Sequence, residues 1–119
     1  MKIYLAHNYA AKSWLRLTVV PMFVSKGHEI TSRWVFDDED DTGANCLEDV
    51  ERADTLVYFS WQAGERAGAG KFVELGYAIR AGKRVFVVDD KWQLSPECIF
   101  HGLPTLVHVE KVEDVLRFL

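Results

Sequence analysis

Apolar and polar positions along the chain fall into short blocks of alternating type. Lys2–Ala6 (KIYLA) is a compact β-rich run and predicts a first strand. Residues 10–26 then read as a helix with Trp14, Leu17 and Val24 as its inner stripe. Pro21 should kink it or split it in two, and Gly27 should close it. Residues 29–36 (EITSRWVF) alternate, with Ile30, Trp34 and Phe36 on one side, and predict a strand near the sheet edge. Residues 44–53 form a short amphipathic helix with Leu47 and Val50 inward. Residues 54–59 (DTLVYF) are almost continuously apolar, as a central strand covered on both faces would be.

A glycine-rich stretch, residues 64–70 (GERAGAG), leads into a helix over 71–81. Phe72, Leu75 and Ile79 are its expected buried face, with Gly76 allowing close approach to the sheet and Gly82 as its stop. RVFVV at 84–88 predicts a fourth strand, 91–104 is irregular, TLVHV at 105–109 a fifth strand, and 111–119 a closing helix. Strands alternating with helices imply an α/β fold. The simplest right-handed winding is a single doubly wound, flavodoxin/Rossmann-like domain over 1–119, with a five-stranded parallel sheet ordered 2-1-3-4-5.

Composition narrows the function classes. The 119 residues are 49% hydrophobic and 27% charged, with a net charge of −4 and no basic run. That argues against a nucleic-acid polymer as partner. No apolar run is long enough to span a bilayer, and Met1-Lys2 passes into the first strand with no signal-peptide pattern. Cys46 and Cys98 lie far apart with no metal-ligand spacing. A cytoplasmic protein with reduced thiols, no membrane partner and no cofactor is therefore expected. The five carboxylates of 37–41 lack the regular spacing of a calcium loop and read as a solvated loop.

In such a sheet the ligand crevice lies beyond the carboxyl ends of the strands, where the strand order reverses. That brings together Ala6, His7, Asn8 and Tyr9 after strand one and residues 60–70 after strand three, with Glu74 about one turn into the next helix. Backbone N–H groups and the positive end of the helix dipole should keep Glu74 ionised, as a nucleophile or general base requires. From the residues alone a second reading stays open, in which Glu74 only stabilises its helix and pairs with Lys71.

Three pieces, KIYLA, LEDVERADTLVYF and GAGKFVELGYAIRAGKRVFVV, together resemble the nucleoside 2-deoxyribosyltransferase family, including its 2′-deoxynucleoside 5′-monophosphate N-glycosidase branch. The resemblance covers roughly residues 1 to 90. It implies that Glu74 is the nucleophile that attacks C1′ of the sugar and that Tyr4 positions it. It also implies a small-molecule nucleoside or nucleotide substrate, and a homo-oligomer, dimer or larger. The family aspartate that assists the leaving base is replaced by Cys46, and Asp49, one turn along, is the expected substitute; the acidic loop 37–41 is a second source. Gly68 stands where the transferase branch has an aspartate and the nucleotide hydrolases a serine, which favours hydrolysis of a monophosphate over transfer. Gly68, Gly70, Arg66 and Lys71 are the expected phosphate cradle, Trp34 and Trp61 the stacking candidates, and Ala6, His7 and Ser60 further contacts. Two alternatives remain at this stage: a nucleotide-binding module impaired by Cys46, and an enzyme resembling an NAD glycohydrolase.

Overall fold

A computed structural model describes residues 1–60, 69–89 and 103–119. Five parallel strands, β1 (Lys2–Ala6), β2 (Glu29–Ile30), β3 (Thr55–Phe59), β4 (Arg84–Val88) and β5 (Leu106–Val109), form one sheet in the order β2-β1-β3-β4-β5. The pairing runs Tyr4 opposite Leu56, then Leu56 opposite Val85, then Val85 opposite Leu106. Every residue of β3 is buried, as its unbroken apolar run requires of a strand covered on both faces. The order reverses between β1 and β3, so the crevice opens beyond Ala6 and Phe59.

The first helical stretch differs from its sequence reading. A 3-10 turn (Tyr9–Ala11) runs into α1 (Lys12–Trp14), a π-helical segment (Leu15–Val19) and α2 (Val20–Val24). Pro21 lies in the first turn of α2, and the π segment just before it absorbs the missing donor without a break. That wide turn changes which side faces inward. Leu15, Val19, Val20 and Phe23 are buried, whereas Leu17 is 70% and Val24 52% exposed. The expected stripe of Trp14, Leu17 and Val24 is thus corrected: only Trp14 packs against the core. Gly27, at φ 86°, closes the stretch, with His28 N–H donating to Phe23 O at 3.2 Å.

β2 is two residues long, not eight. Ser32 Oγ accepts from Leu5 N–H at 2.6 Å and Asp49 accepts from Arg33 N–H at 3.0 Å, so side chains take bonds that a strand would give to its neighbour. Arg33–Val35 consequently turns as a 3-10 helix, with Trp34 buried and Phe36 exposed. A further 3-10 turn, Asp38–Asp40, is capped by Asp37, which accepts from Glu39 N–H at 2.9 Å. Helix α3 (Gly43–Arg52) follows, with Thr42 as its cap, accepting from Asn45 N–H at 3.2 Å.

Helix α4 (Ala69–Arg80) buries Lys71, Glu74 and Ala78, with Leu75 and Ile79 half-buried beside them. Phe72, expected inside, is 52% exposed, and Gly76 faces open space instead of the sheet. The reason is Lys71: its ammonium donates to Phe59 O at 3.0 Å and Ser60 O at 3.4 Å, which fixes the helix rotation. Gly82, at φ 73°, ends the helix as its position implied. The chain closes with α5 (Val112–Val115) and a 3-10 turn, Leu116–Phe118. Among the described residues no helix is long and apolar enough to cross a membrane.

Candidate active site

Side-chain alternation along the strands decides what reaches the crevice. Tyr4 of β1 and Tyr58 of β3 face the layer of α3 and α4, where Tyr4 comes beside Cys46 and Glu74, and Tyr58 lies 5.9 Å from the Phe72 ring. His7 and Phe59 face the opposite layer and stack at 5.0 Å, with Trp14 edge-on to both. The two sheet faces therefore carry different chemistry. One is a buried carboxylate with a phenol. The other is an aromatic stack around a histidine.

Between α3 and α4 lies a pocket of about 310 Å³ whose walls include Asp41, Gly43, Cys46, Gly70, Val73 and Glu74. Glu74 is 9% exposed, and its Oε2 has no hydrogen-bond partner among the described residues. Burial raises its pKa to about 7; the Tyr4 hydroxyl opposes that rise and the charge of Asp41 adds to it. Burial thus works against the ionised state expected from the position of Glu74 on its helix.

Tyr4 is fully buried, and its hydroxyl likewise has no partner among the described residues. It acts on the protonation of both Glu74 and Cys46, yet it meets ordinary hydrogen-bond geometry with neither. Catalytic hydrogen bonds are often this loose before substrate tightens them. Burial and then the neighbouring Glu74 push the phenol's own pKa strongly upward, so it stays a donor at all working pH. Tyr4→Phe is expected to raise the Glu74 pKa further and to slow any step that needs the carboxylate by about tenfold at pH 7. It should also leave the fold slightly more stable, because a buried hydroxyl with no partner is removed. A pH–rate profile with a parallel melting curve checks both.

The remaining candidates divide. Gly70 lines the pocket, and a Cβ there would sit 3.9 Å from Glu74 Oε1, in ordinary contact. Ala6 is fully buried at the end of β1. Ser60 is committed to the scaffold: its hydroxyl donates to Asp89 Oδ1 at 2.5 Å and lies 3.2 Å from Val88 O, tying the ends of β3 and β4. Lys71 is 4% exposed and joins the end of β3 to the first turn of α4, holding Glu74 one turn later; burial lowers its pKa. The Lys71 ammonium donates to the Phe59 and Ser60 carbonyls, while Glu74 Oε2 has no hydrogen-bond partner among the described residues. His7 is buried, its Nδ1 accepts from Asn8 N–H at 2.7 Å, and burial then Lys71 lowers its pKa to about 4. It is a neutral imidazole with its proton on Nε2, away from the Glu74 pocket.

Two expectations give way. Trp34 is 4% exposed and donates its indole N–H to Leu5 O at 3.1 Å, so it is a packing residue with no free face for a base. Asp49 is 1% exposed and accepts from Arg33 N–H at 3.0 Å and Arg33 Nε at 2.8 Å, with Arg52 at 3.4 Å. It anchors the 33–35 turn to α3 and does not line the pocket. Trp61, Arg66 and Gly68 lie outside the described residues. Sequence reasoning passed over Gly43 and Val73 as wall residues. The i, i+3 spacing of Gly43 and Cys46 at the start of α3 was the available signal.

No protein-family model matches the chain, and no curated protein matches it at significant similarity. Among solved structures, the Clostridium botulinum CMP N-glycosidase BcmB is similar over 100% of both chains, with a TM-score of 0.73 and 16% sequence identity. At that identity the likeness is one of fold. This chain shares that fold, and Glu74 is the one buried glutamate among its described residues.

Proposed function

We propose that the protein cleaves the N-glycosidic bond of a nucleoside 5′-monophosphate or nucleoside, the 2′-deoxy forms foremost, with Glu74 as nucleophile. The observation that carries this reading is the unpartnered Glu74 Oε2 in the wall of the pocket between α3 and α4, beside the Tyr4 hydroxyl. A carboxylate buried without a partner costs stability, and a cleft that exposes it only to a ligand is where such a cost is used. The full-length likeness to an enzyme named for CMP cleavage supports the same chemistry.

In the first step Glu74 forms a bond to C1′ while the C1′–N bond breaks toward the base. In the second, water or another base takes the sugar and frees Glu74. Gly70 lets the sugar approach the carboxylate, and the rest of the 64–70 loop is the proposed phosphate cradle. Hydrolysis is favoured over transfer. A homo-oligomer belongs to this reading, with the exposed Phe72, Val73 and Tyr77 of α4 as the surface a second copy would cover.

The test is a panel of CMP and the common 2′-deoxynucleosides and their 5′-monophosphates, with free base followed by chromatography. Because Glu74 must be ionised to attack, kcat/KM for base release should rise with pH and level off above about 7. A flat profile between pH 5.5 and 8.5 would remove Glu74 from the nucleophile's role.

A further inference from the structure

Cys46 leaves the pocket without a carboxylate on α3, since a thiol whose pKa burial pushes up to about 11 is neither an acceptor for a water proton nor a useful acid. Asp41 fills that gap from another direction. We propose that Asp41 is the general base that activates water to resolve the glycosyl–Glu74 intermediate, making the protein a hydrolase; this rests on the N-glycosidase reading above.

Four observations carry it. Asp41 lines the same pocket as Glu74. Its Oδ1 lies 3.8 Å from Cys46 Sγ, so it stands over the thiol that replaces the aspartate. Its charge is felt at both Cys46 and Glu74. And its backbone is fixed: Asp41 N–H donates to Asp38 O at 3.1 Å, and Thr42 N–H donates to Asp40 O at 2.9 Å just before α3 begins. The loop is also tied to the first helical stretch, because Lys12 and Tyr9 both donate to the Asp38 carboxylate. The loop is solvated, as its sequence implied, yet held at both ends, and Asp41 at its close lines the pocket while still exposed.

The step balances. Formation of the Glu74–C1′ ester releases the base, which takes a proton from solvent. A water oxygen then bonds to C1′ as its proton passes to the Asp41 carboxylate, and the ester bond breaks with its electron pair returning to Glu74. Asp41 finally gives its proton to solvent. The sum is nucleotide plus water giving base and sugar phosphate.

Rapid-quench assays of the wild type, Asp41→Asn and Glu74→Gln on CMP and the four common 2′-deoxynucleoside 5′-monophosphates separate the possibilities. Asp41→Asn should release about one equivalent of base per site in a burst and then turn over roughly 10²-fold or more slowly than wild type. Sodium azide, which needs no deprotonation, should restore its turnover as the sugar azide. Wild-type steady-state turnover by Asp41→Asn, or an equal loss of burst and steady state with no azide rescue, would overturn the assignment of Asp41 alone. Undiminished turnover by Glu74→Gln, or no base release by the wild type, would instead overturn the parent reading and Asp41's role with it. Independently of substrate, carbon-13 titration of the Glu74 carboxyl should show a lower midpoint in Asp41→Asn. An unmoved midpoint would mean that Asp41 does not face Glu74, and the proposal would fall.

Discussion

Replacing Glu74 by glutamine is expected to abolish base release, by about 10³-fold or more, and at the same time to raise the melting temperature at pH 8. The two effects have one cause. The carboxylate is buried and its Oε2 has no partner, so ionising it in the folded state is costly. Its pKa stands at about 7 against an ordinary 4.5. A raised carboxyl pKa means that the folded state holds the proton more tightly than the unfolded state does. Its contribution is therefore fully present below about pH 4.5 and lost as pH rises through about 7. At 1.36 kcal/mol per unit, the loss by pH 8 is on the order of 3 kcal/mol. Glutamine carries no charge and has no such slope, although its amide also lacks partners, which offsets about 1 kcal/mol. The variant should therefore melt several degrees above wild type at pH 8 and close to it at pH 5. Equal melting curves at both pH values would contradict the burial of a titrating Glu74.

Asp49→Ala is expected to act in the opposite way, destabilising the fold by about 3 kcal/mol while leaving the pH midpoint of base release unmoved. Asp49 is buried, whereas Arg33 and Arg52 keep part of their guanidinium surface in water, so the loss is not that of a fully buried pair. What goes is the anchor of the 33–35 turn, with Arg33 N–H left without its acceptor. Asp49→Asn should recover part of the stability, since its amide oxygen still accepts that bond. Urea denaturation with kinetics on the folded fraction distinguishes this from a catalytic role. A pH-profile change at unchanged stability would return Asp49 to the chemistry.

The architecture was legible wherever burial on both faces writes an unbroken apolar run, as in residues 55–59 and 84–88. There the β2-β1-β3-β4-β5 order followed from short right-handed crossovers alone. It was not legible where side chains take over the backbone's bonds. Ser32 and Asp49 end β2 after two residues, although the alternation of 29–36 continues past them. The inner face of the first helical stretch was hidden because a π segment departs from the 3.6-residue period on which the stripe was counted.

At the site, the nearness of Tyr4 to Glu74 was readable from strand alternation and from the resemblance. The state of Glu74 was not, since helix position announces the dipole but not the depth of burial. Asp49 and Asp41 show the same limit. Helical spacing from Cys46 favoured Asp49, but Arg33, 16 residues earlier, and Arg52, one turn on, hold it, and the pocket receives Asp41 from the preceding loop.

The most direct test of Glu74 as nucleophile is intact-mass and peptide mapping of the protein acid-quenched within milliseconds of mixing with a turned-over nucleotide, in the Asp41→Asn background. A sugar-phosphate adduct on the peptide carrying Glu74, formed at the rate of the base burst and absent from the Glu74→Gln variant, is the predicted result. Base released at that rate with Glu74 unmodified throughout would contradict it.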